Sequence, residues 1–460
     1  MFNSYSSLEQ LKSAIENMTV ASLREVARDF GIVPRNRKRD ELIQLITDVY
    51  KGDVKPEGPK KSGRPTKAAL SQPTPEPPLT REMPAPTEQE VYEGILEIMP
   101  DGYGFVRTEN YSTTPGHDYY VPATMIQRMY LKTGDKLSVC LRQFPDRTAP
   151  SVTYIKAIND EACPSIHRTA FDMLEACFPN QRINIVGDRT DYSLRALDLV
   201  APIGKGTRGL IVAPPKAGKT ILLKKIAQAV TKNHPEIHLT VLLIDERPEE
   251  VTDFKDSVNC EVVYSTFDQS PQNHTRIAEL VMANARRRVE QGQDVMILMD
   301  SITRLGRAYN QTIEMSGRTL TGGLDISALQ EPKKMFGSGR NVRNGGSLTI
   351  LATALVETGS KLDDIVFEEF KGTGNMEIRL DRRMSEKRIF PAIDLNKSGT
   401  RREDLLLSPE EMEGMMLCRR MLASDDPVKA TEELLEIIMA TANNKEAIEF
   451  IKRLMTRRKR

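Results

Sequence analysis

A multidomain chain is what the sequence predicts: a small N-terminal helical unit, a five-stranded β-barrel, and an α/β domain built on a parallel sheet with a helical C-terminus. Three observations carry this. The 460 residues exceed what one ordinary core organises. Residues 91–159 break into short strand-like runs punctuated by turn signals such as PDG and KTGD. From residue 206 onward, longer apolar runs alternate with helical patterns, as they do around a parallel sheet.

Residues 1–50 read as the helical unit. Leu8, Leu11, Ile15 and Met18, then Leu23, Val26, Ala27 and Phe30, recur at helical spacing, and Gly31 and Pro34 separate them from ELIQLITDVY. The basic run RNRKR (35–39) is more often a solvated turn than a phosphate contact. Residues 51–90 are rich in Pro, Lys, Glu, Ser and Thr with few large apolar side chains, so they read as a flexible linker. Its KKSGRPTK arises readily in so biased a composition.

Charge and cysteine usage narrow the class. Lys+Arg 65 against Asp+Glu 64 leaves almost no net charge, so a polyanion has to be met by local clusters. The five cysteines form no C-x-x-C pair, which argues against a zinc site or a disulfide framework and fits a reducing cytoplasm. The N-terminus lacks a secretory pattern and no apolar run approaches the ~18 residues of a membrane span. No membrane partner is expected.

The runs GILEI, YGFVR, DYYV, KLSVCLR and TYIKAI are the five barrel strands, an OB-fold by size and count. In DGYGFVR (101–107), Tyr103, Phe105 and Arg107 alternate onto one face, with Tyr120 nearby. That pattern suits single-stranded nucleic acid, whose bases stack on rings while a cation meets the backbone. The bland reading puts both rings in the barrel core; against it, Val106 faces the other way and can fill that core. The strip alone does not separate RNA from DNA.

RGLIVAPPKAGKTILLKKIAQAV (208–230) is an apolar strand, a Pro/Gly loop ending in Gly-Lys-Thr, and an amphipathic helix. This is the context a P-loop needs, although Ala213 stands where the usual first glycine would be. Pro215, Lys216, Ala217, Gly218, Lys219, Thr220 and Ile221 are the candidate nucleotide-binding stretch, with Lys219 reaching phosphate oxygens and Thr220 holding Mg²⁺. TVLLIDERPEE (240–250) ends its strand on Asp245 and Glu246, and DVMILMDSITR (294–304) on Asp300. Asp300 is the candidate Mg²⁺ aspartate, acting partly through water, and Glu246 the candidate base for an attacking water. Either acid is alternatively a helix cap after its strand.

At this point a family resemblance enters. GLIVAPPKAGKT, LLIDERPEEVTD, DSITRLGRAYN, LTGGLD, GGSLTI, TGSKLDD, EEFKGTGNMEI and EKRIFPAIDLNKSGTR resemble the Rho transcription termination factors across roughly residues 91–460. The resemblance implies RecA-like ATPase domains in a homohexameric ring, an OB-fold for single-stranded RNA, and ATP with Mg²⁺. It further implies 5′-to-3′ translocation that releases transcripts from the RNA polymerase elongation complex, in company with elongation factors and in the bacterial cytoplasm. By position it gives Glu246 the catalytic role with Arg247 beside it, makes Arg401 an arginine finger and Arg388 a second arginine reaching a neighbour's nucleotide, and packs Phe390 on adenine. It places GRTLTGGLD (317–325), with Thr321 and Gly322, and TGSKLDD (358–364), with Lys361, in an RNA-lined pore. Tyr103, Phe105, Arg107 and Tyr120 align with its primary RNA site, while Ala149 and Ser151 depart from the Glu and Tyr often found there.

Other classes are weighed against this. A rotary ATP synthase subunit shares the P-loop and ring but has no use for an exposed aromatic-basic strand. A RecA-like DNA motor is separated by RNA against DNA stimulation. A purely RNA-binding module would leave Lys219, Thr220, Glu246 and Asp300 all without purpose.

Overall fold

A computed structural model of the chain describes residues 39–51, 90–113, 118–144, 149–162, 168–314, 319–320, 322–421 and 426–458, together with Leu23, Val26 and Ala27. Residues 52–89 of the linker with KKSGRPTK, Arg35–Lys38 of RNRKR, Thr321, and Leu8, Leu11, Ile15, Met18 and Phe30 of the expected N-terminal helices lie outside them. The chain divides into two units, Met1–Met83 and Pro84–Arg460. In the first, a helix over Arg39–Lys51 opens on Asp40 and Glu41, which suit the positive end of its dipole. Leu42 and Ile46 are one turn apart on it and pack with Leu23 and Ala27 into a small core.

The second unit begins with the closed barrel: β1 (Val91–Ile98), β2 (Gly104–Arg107), β3 (Asp118–Val121), β4 (Lys136–Arg142) and β5 (Ser151–Ile158), in the order β1-β2-β3-β5-β4. Its interior is Leu96, Val106, Val121, Leu137, Val139, Val152 and Ile155. Val106 lies there as its alternation demands, and the rings of Tyr103, Phe105 and Tyr120 do not. A short helix, Ala123–Arg128, plugs one end through Ile126, a detail the strand pattern does not announce.

The main sheet consists of β6 (Ala176–Cys177), β7 (Arg208–Ala213), β8 (His238–Glu246), β9 (Glu261–Thr266), β10 (Asp294–Asp300), β13 (Arg340–Val342), β14 (Ser347–Leu355), β15 (Met376–Arg379) and β16 (Gly399–Thr400), with β6 paired to β13. A separate hairpin, β11 (Thr319–Leu320) and β12 (Leu324–Asp325), precedes β13. The main path runs β16-β15-β7-β14-β10-β8-β9, parallel from β15 to β9. Its central strands are covered on both faces, which is why they read as unbroken apolar runs. One face takes helix Lys219–Asn233 through Leu222, Leu223 and Ile226. C-terminal helices Pro427–Ala440 and Asn444–Arg458 join it through Leu434 and Ile448. The other face takes helices Pro271–Glu290, Ile302–Thr312 and Lys361–Lys371 through Ile277, Leu305 and Phe367. Arg195 is wholly buried between layers, donating to the carbonyls of Ile438 (2.7 Å) and Thr441 (2.8 Å), and so closes the end of helix Pro427–Ala440.

Barrel and sheet are fastened to one another. Gly134 sits against the Ala283–Asn284 backbone, where a Cβ would fall 2.4 Å from the Ala283 carbonyl carbon, and Asn284 donates to its carbonyl (2.8 Å). Arg276 grips Glu97 of β1 through two bonds of 2.9 and 2.8 Å.

Candidate nucleotide site and candidate nucleic-acid interface

The parallel strands β7, β8 and β10 deliver their carboxyl ends to one edge of the sheet, where ligands of such folds bind. After Ala213 the chain turns sharply, with Lys216 at φ +65° and Gly218 at φ +88°, and enters helix Lys219–Asn233. Gly218 is required there, since a side chain is strained at that φ. No side chain caps this helix, so the N–H groups of its first turn remain for an anion, with the dipole behind them.

Lys219 projects into the gap between β8 and β10. Its Nζ donates to Asp300 Oδ1 (2.6 Å) and Oδ2 (2.7 Å) and to Glu246 Oε1 (3.1 Å). Burial alone would depress this ammonium, but Asp300 and Glu246 together hold it above the ordinary lysine value. Both acids are buried. Neither is a helix cap: Ser301 caps helix Ile302–Thr312, accepting from the Arg304 N–H, and Arg247 is the residue at the N-cap of helix Pro248–Ser257. Glu246 Oε2 has no hydrogen bond among the described residues, although the Arg304 guanidinium stands 3.4 Å away. One turn on, burial and then the charge of Glu246 raise the Glu250 carboxyl.

The partners of the acids are what sequence reading missed. Thr353 at the ligand end of β14 donates to Asp300 Oδ1 (2.6 Å), and nothing in SLTILATAL separates it from Ser347 and Thr349 of the same strand. Arg304 lies four residues after Asp300 within DSITRLGRAYN, on the first turn of its helix.

Beside the loop, Ala217, Gly218, Ile221, Leu222, Phe390 and Pro391 line a largely apolar cavity of 250 Å³. Phe390 leans on Gly218, where a Cβ would sit 3.4 Å from the ring. Pro215, Lys216 and Ile221 are exposed at the loop surface, and Thr220 is half-buried at the start of the helix. The structure does not bring Arg247, Arg388 or Arg401 onto Glu246 or Asp300 of the same chain. All three are exposed, and among the described residues none of their guanidiniums makes a hydrogen bond or ion pair.

On the barrel, three rings converge outside its core. Centroids of Tyr103 and Phe105 are 5.8 Å apart, Tyr103 and Tyr120 5.7 Å, and Phe105 and Tyr120 6.1 Å. Arg107 is a correction to the expected strip. It is only 5% exposed and is turned inward to Glu97 (2.7 Å) and Asp118, with its guanidinium 4.9 Å from the Phe105 ring. Two carboxylates from flanking strands outcompete solvent for a cation at the end of a four-residue strand. Burial would raise the Glu97 carboxyl, but Arg276 and Arg107 bring it below its ordinary value.

The two glycine- and lysine-bearing loops meet. Gly322 lies in the β11–β12 turn at φ +92°, and a Cβ there would be 3.4 Å from Lys361 Cβ. Lys361 is exposed at the start of helix Lys361–Lys371.

A parallel sheet with a P-loop, two acids at adjacent strand ends and a ring-bearing β-barrel defines a P-loop ATPase with a nucleic-acid-binding module. Residues 193–400 match the ATP synthase alpha/beta family nucleotide-binding domain, and residues 92–163 match the Rho termination factor RNA-binding domain. The chain is 50% identical over 369 residues to transcription termination factor Rho of Pseudomonas aeruginosa, covering 78% of this chain and 88% of that one. Against the Aquifex aeolicus Rho it is 50% identical over 365 residues, covering 78% and 84%. The chain belongs to the transcription termination factor Rho family, and it is an ATP-hydrolysing enzyme that acts with RNA. Among solved structures, a prototypical ATPase of the type III secretion system of pathogenic bacteria shares the fold, with a TM-score of 0.52 and 23% identity over 68% of this chain and 93% of that one.

Proposed function

We propose that the protein terminates transcription as a homohexameric ring that binds nascent single-stranded RNA on its barrels, draws it 5′ to 3′ through a central pore by ATP hydrolysis, and so releases transcripts from RNA polymerase. In this reading residues 91–159 are the anchor, residues 206–460 the motor, and residues 160–205 the connector. The observation that carries it is the presence in one chain of a half-exposed three-ring platform outside the barrel core and a Lys219–Glu246–Asp300 cluster whose acids are buried.

The chemistry follows from those side chains. Pro215–Ile221 wraps the phosphates, Lys219 meets the β and γ oxygens, and Phe390 stacks on the base in the adjoining cavity. Glu246, with one oxygen free of hydrogen bonds, accepts the proton of the attacking water. Thr220 and Asp300 offer hard oxygen donors suited to Mg²⁺, with phosphate and water completing its shell, and no group of three or more metal-binding side chains occurs among the described residues. Mg²⁺, when bound, would neutralise charge on the phosphate oxygens. Arg401 and Arg388, whose guanidiniums have no hydrogen bond or ion pair among the described residues, act on a neighbouring subunit's nucleotide, a device worth about 10³–10⁵ in rate elsewhere, while Arg247 serves beside Glu246. Thr321, Gly322 and Lys361 face RNA in the pore, where backbone approach and one ammonium suit phosphate and 2′-OH groups. Tyr103, Phe105 and Tyr120 stack bases, and Arg107 sets their platform.

The setting proposed is the bacterial cytoplasm. The curated relatives are bacterial, and among the described residues no helix is long and apolar enough to cross a membrane. Steady-state ATP hydrolysis with no nucleic acid, with cytosine-rich single-stranded RNA, and with matched DNA tests the reading. Stimulation by RNA alone supports it, whereas equal turnover in all three refutes it and equal stimulation by DNA favours a general single-strand motor.

A further inference from the structure

The edge of the sheet nearest the barrel is finished by a barrel residue. β9 ends the strand order, so its outer N–H and C=O groups lack a neighbouring strand among the described residues. The Asn110 side chain supplies the missing pairing: Nδ2 donates to the Tyr264 carbonyl (2.7 Å) and Oδ1 accepts from the Tyr264 N–H (2.7 Å). A carboxamide here imitates a strand. The next residue, Tyr111, is buried and donates its hydroxyl to Glu261 Oε1 (2.8 Å) on the same strand. Burial and then Glu261 push the Tyr111 phenol well above its usual value, so it remains a donor. Glu261 is fixed in turn by Thr240 of β8 (3.1 Å). Asn110 and Tyr111 are successive left-handed residues, at φ 50° and 53°, a conformation a bulky side chain seldom adopts unless its surroundings impose it.

Both ends of this hook lead to a site. It begins three residues after Arg107, on the loop leaving the strand that carries Phe105, and Phe105 pairs with Tyr120 across β2 and β3. On the other side, Tyr264 is two residues from Thr266, which pairs with Glu246. The Phe267 N–H then donates to the Glu246 carbonyl (3.1 Å), just past the register shift at left-handed Asp245. Thus the end of β9 holds the backbone of the candidate base.

We propose that Asn110 and Tyr111 are positioning residues that transmit the occupation of the aromatic strip through β9 to Glu246, making hydrolysis responsive to RNA on the barrel. This rests on the reading that RNA stimulates ATP turnover. The hook bonds the edge of a strand and touches neither nucleotide nor base. Its loss therefore changes how RNA acts on kcat while leaving ligand affinities in place.

The test compares full-length wild type, Asn110→Ala, Tyr111→Phe and Lys132→Ala, the last cutting a different barrel contact, Lys132 to Glu290 (3.3 Å). Measured for each are the Kd for a short cytosine-rich single-stranded RNA, KM for ATP, and the ratio of kcat with saturating RNA to kcat without. For Asn110→Ala the ratio is expected to fall roughly tenfold, with Kd and KM within about twofold of wild type. Tyr111→Phe keeps the ring and so the packing, and should show a smaller fall of the same kind; Lys132→Ala should keep the full ratio. An unchanged ratio in both hook variants overturns the proposal, as does a fall explained by weaker RNA binding or matched by Lys132→Ala. If Asn110→Ala does not fold, Tyr111→Phe decides alone. Wild type without any RNA stimulation would instead remove the underlying functional reading, and the hook with it.

Discussion

Phe105→Ala removes one of three rings from the barrel surface, and the structure sets the size of the effect. The ring lies outside the apolar interior and touches Tyr103, Tyr120 and the Arg107 guanidinium. Two ring pairs at roughly 0.5–1.5 kcal/mol each give the pairwise part of the stability lost, and the half-exposed ring adds a reduced burial contribution to it. A base stacked on such a ring contributes roughly 1–3 kcal/mol. At about 1.4 kcal/mol per tenfold, Kd for a short RNA should rise about 5- to 150-fold. Fluorescence anisotropy with labelled single-stranded RNA, at one fixed salt concentration because phosphate contacts are salt-sensitive, gives that Kd. Thermal unfolding is measured alongside. Loss of the folded barrel would show that Phe105 is a core residue, and an unchanged Kd in a folded variant would show that bases rest elsewhere.

Three further outcomes are expected. Lys219→Ala and Arg401→Ala should each abolish turnover while RNA affinity of the barrel persists. Mixed assemblies of the two should regain part of it, because one class of interface then combines an intact Lys219 with an intact Arg401; no recovery on mixing would exclude action in trans. Glu97, held below its ordinary value of 4.5, contributes stability above that pH and loses it as pH falls through the lower folded value. Glu97→Gln should therefore be less stable than wild type at neutral pH, with the gap narrowing in a series of thermal melts as the pH falls below 4.5 toward the lowered folded value; a gap that does not narrow in acid would contradict this. Arg195→Met leaves the carbonyls of Ile438 and Thr441 without their buried donor and should cost about 3 kcal/mol in denaturant unfolding. A loss under about 1 kcal/mol would mean water replaces the guanidinium.

What the sequence made legible was local. The P-loop could be read because strand, loop and helix are consecutive from Arg208 to Asn233, and Glu246 and Asp300 because each closes its own apolar run. Val106 could be assigned to the barrel interior because a strand alternates. Long-range pairing was not legible. Nothing in YGFVR shows that Glu97 and Asp118 will claim Arg107, since that depends on the register of β1 and β3 on either side of β2. The same holds for Thr353 on Asp300, 53 residues away, and for Asn110 on Tyr264, 154 residues away. Family resemblance supplied the roles of Arg388 and Arg401, for which spacing offers no cue.

The strand order also bears on how the chain is made. Every barrel strand lies within Val91–Ile158, so the barrel can close as soon as that stretch has left the ribosome. β7 has no such neighbour: its partners are β14 and β15, and Arg208–Ala213 emerges long before Ser347–Arg379 exists. During synthesis the strand that launches the P-loop is therefore an apolar segment with both edges open, and closing so long a loop is slow. The strand order thus sets an early-closing barrel ahead of a sheet that is completed last. It also makes RGLIVA the segment that folding helpers have most reason to shield.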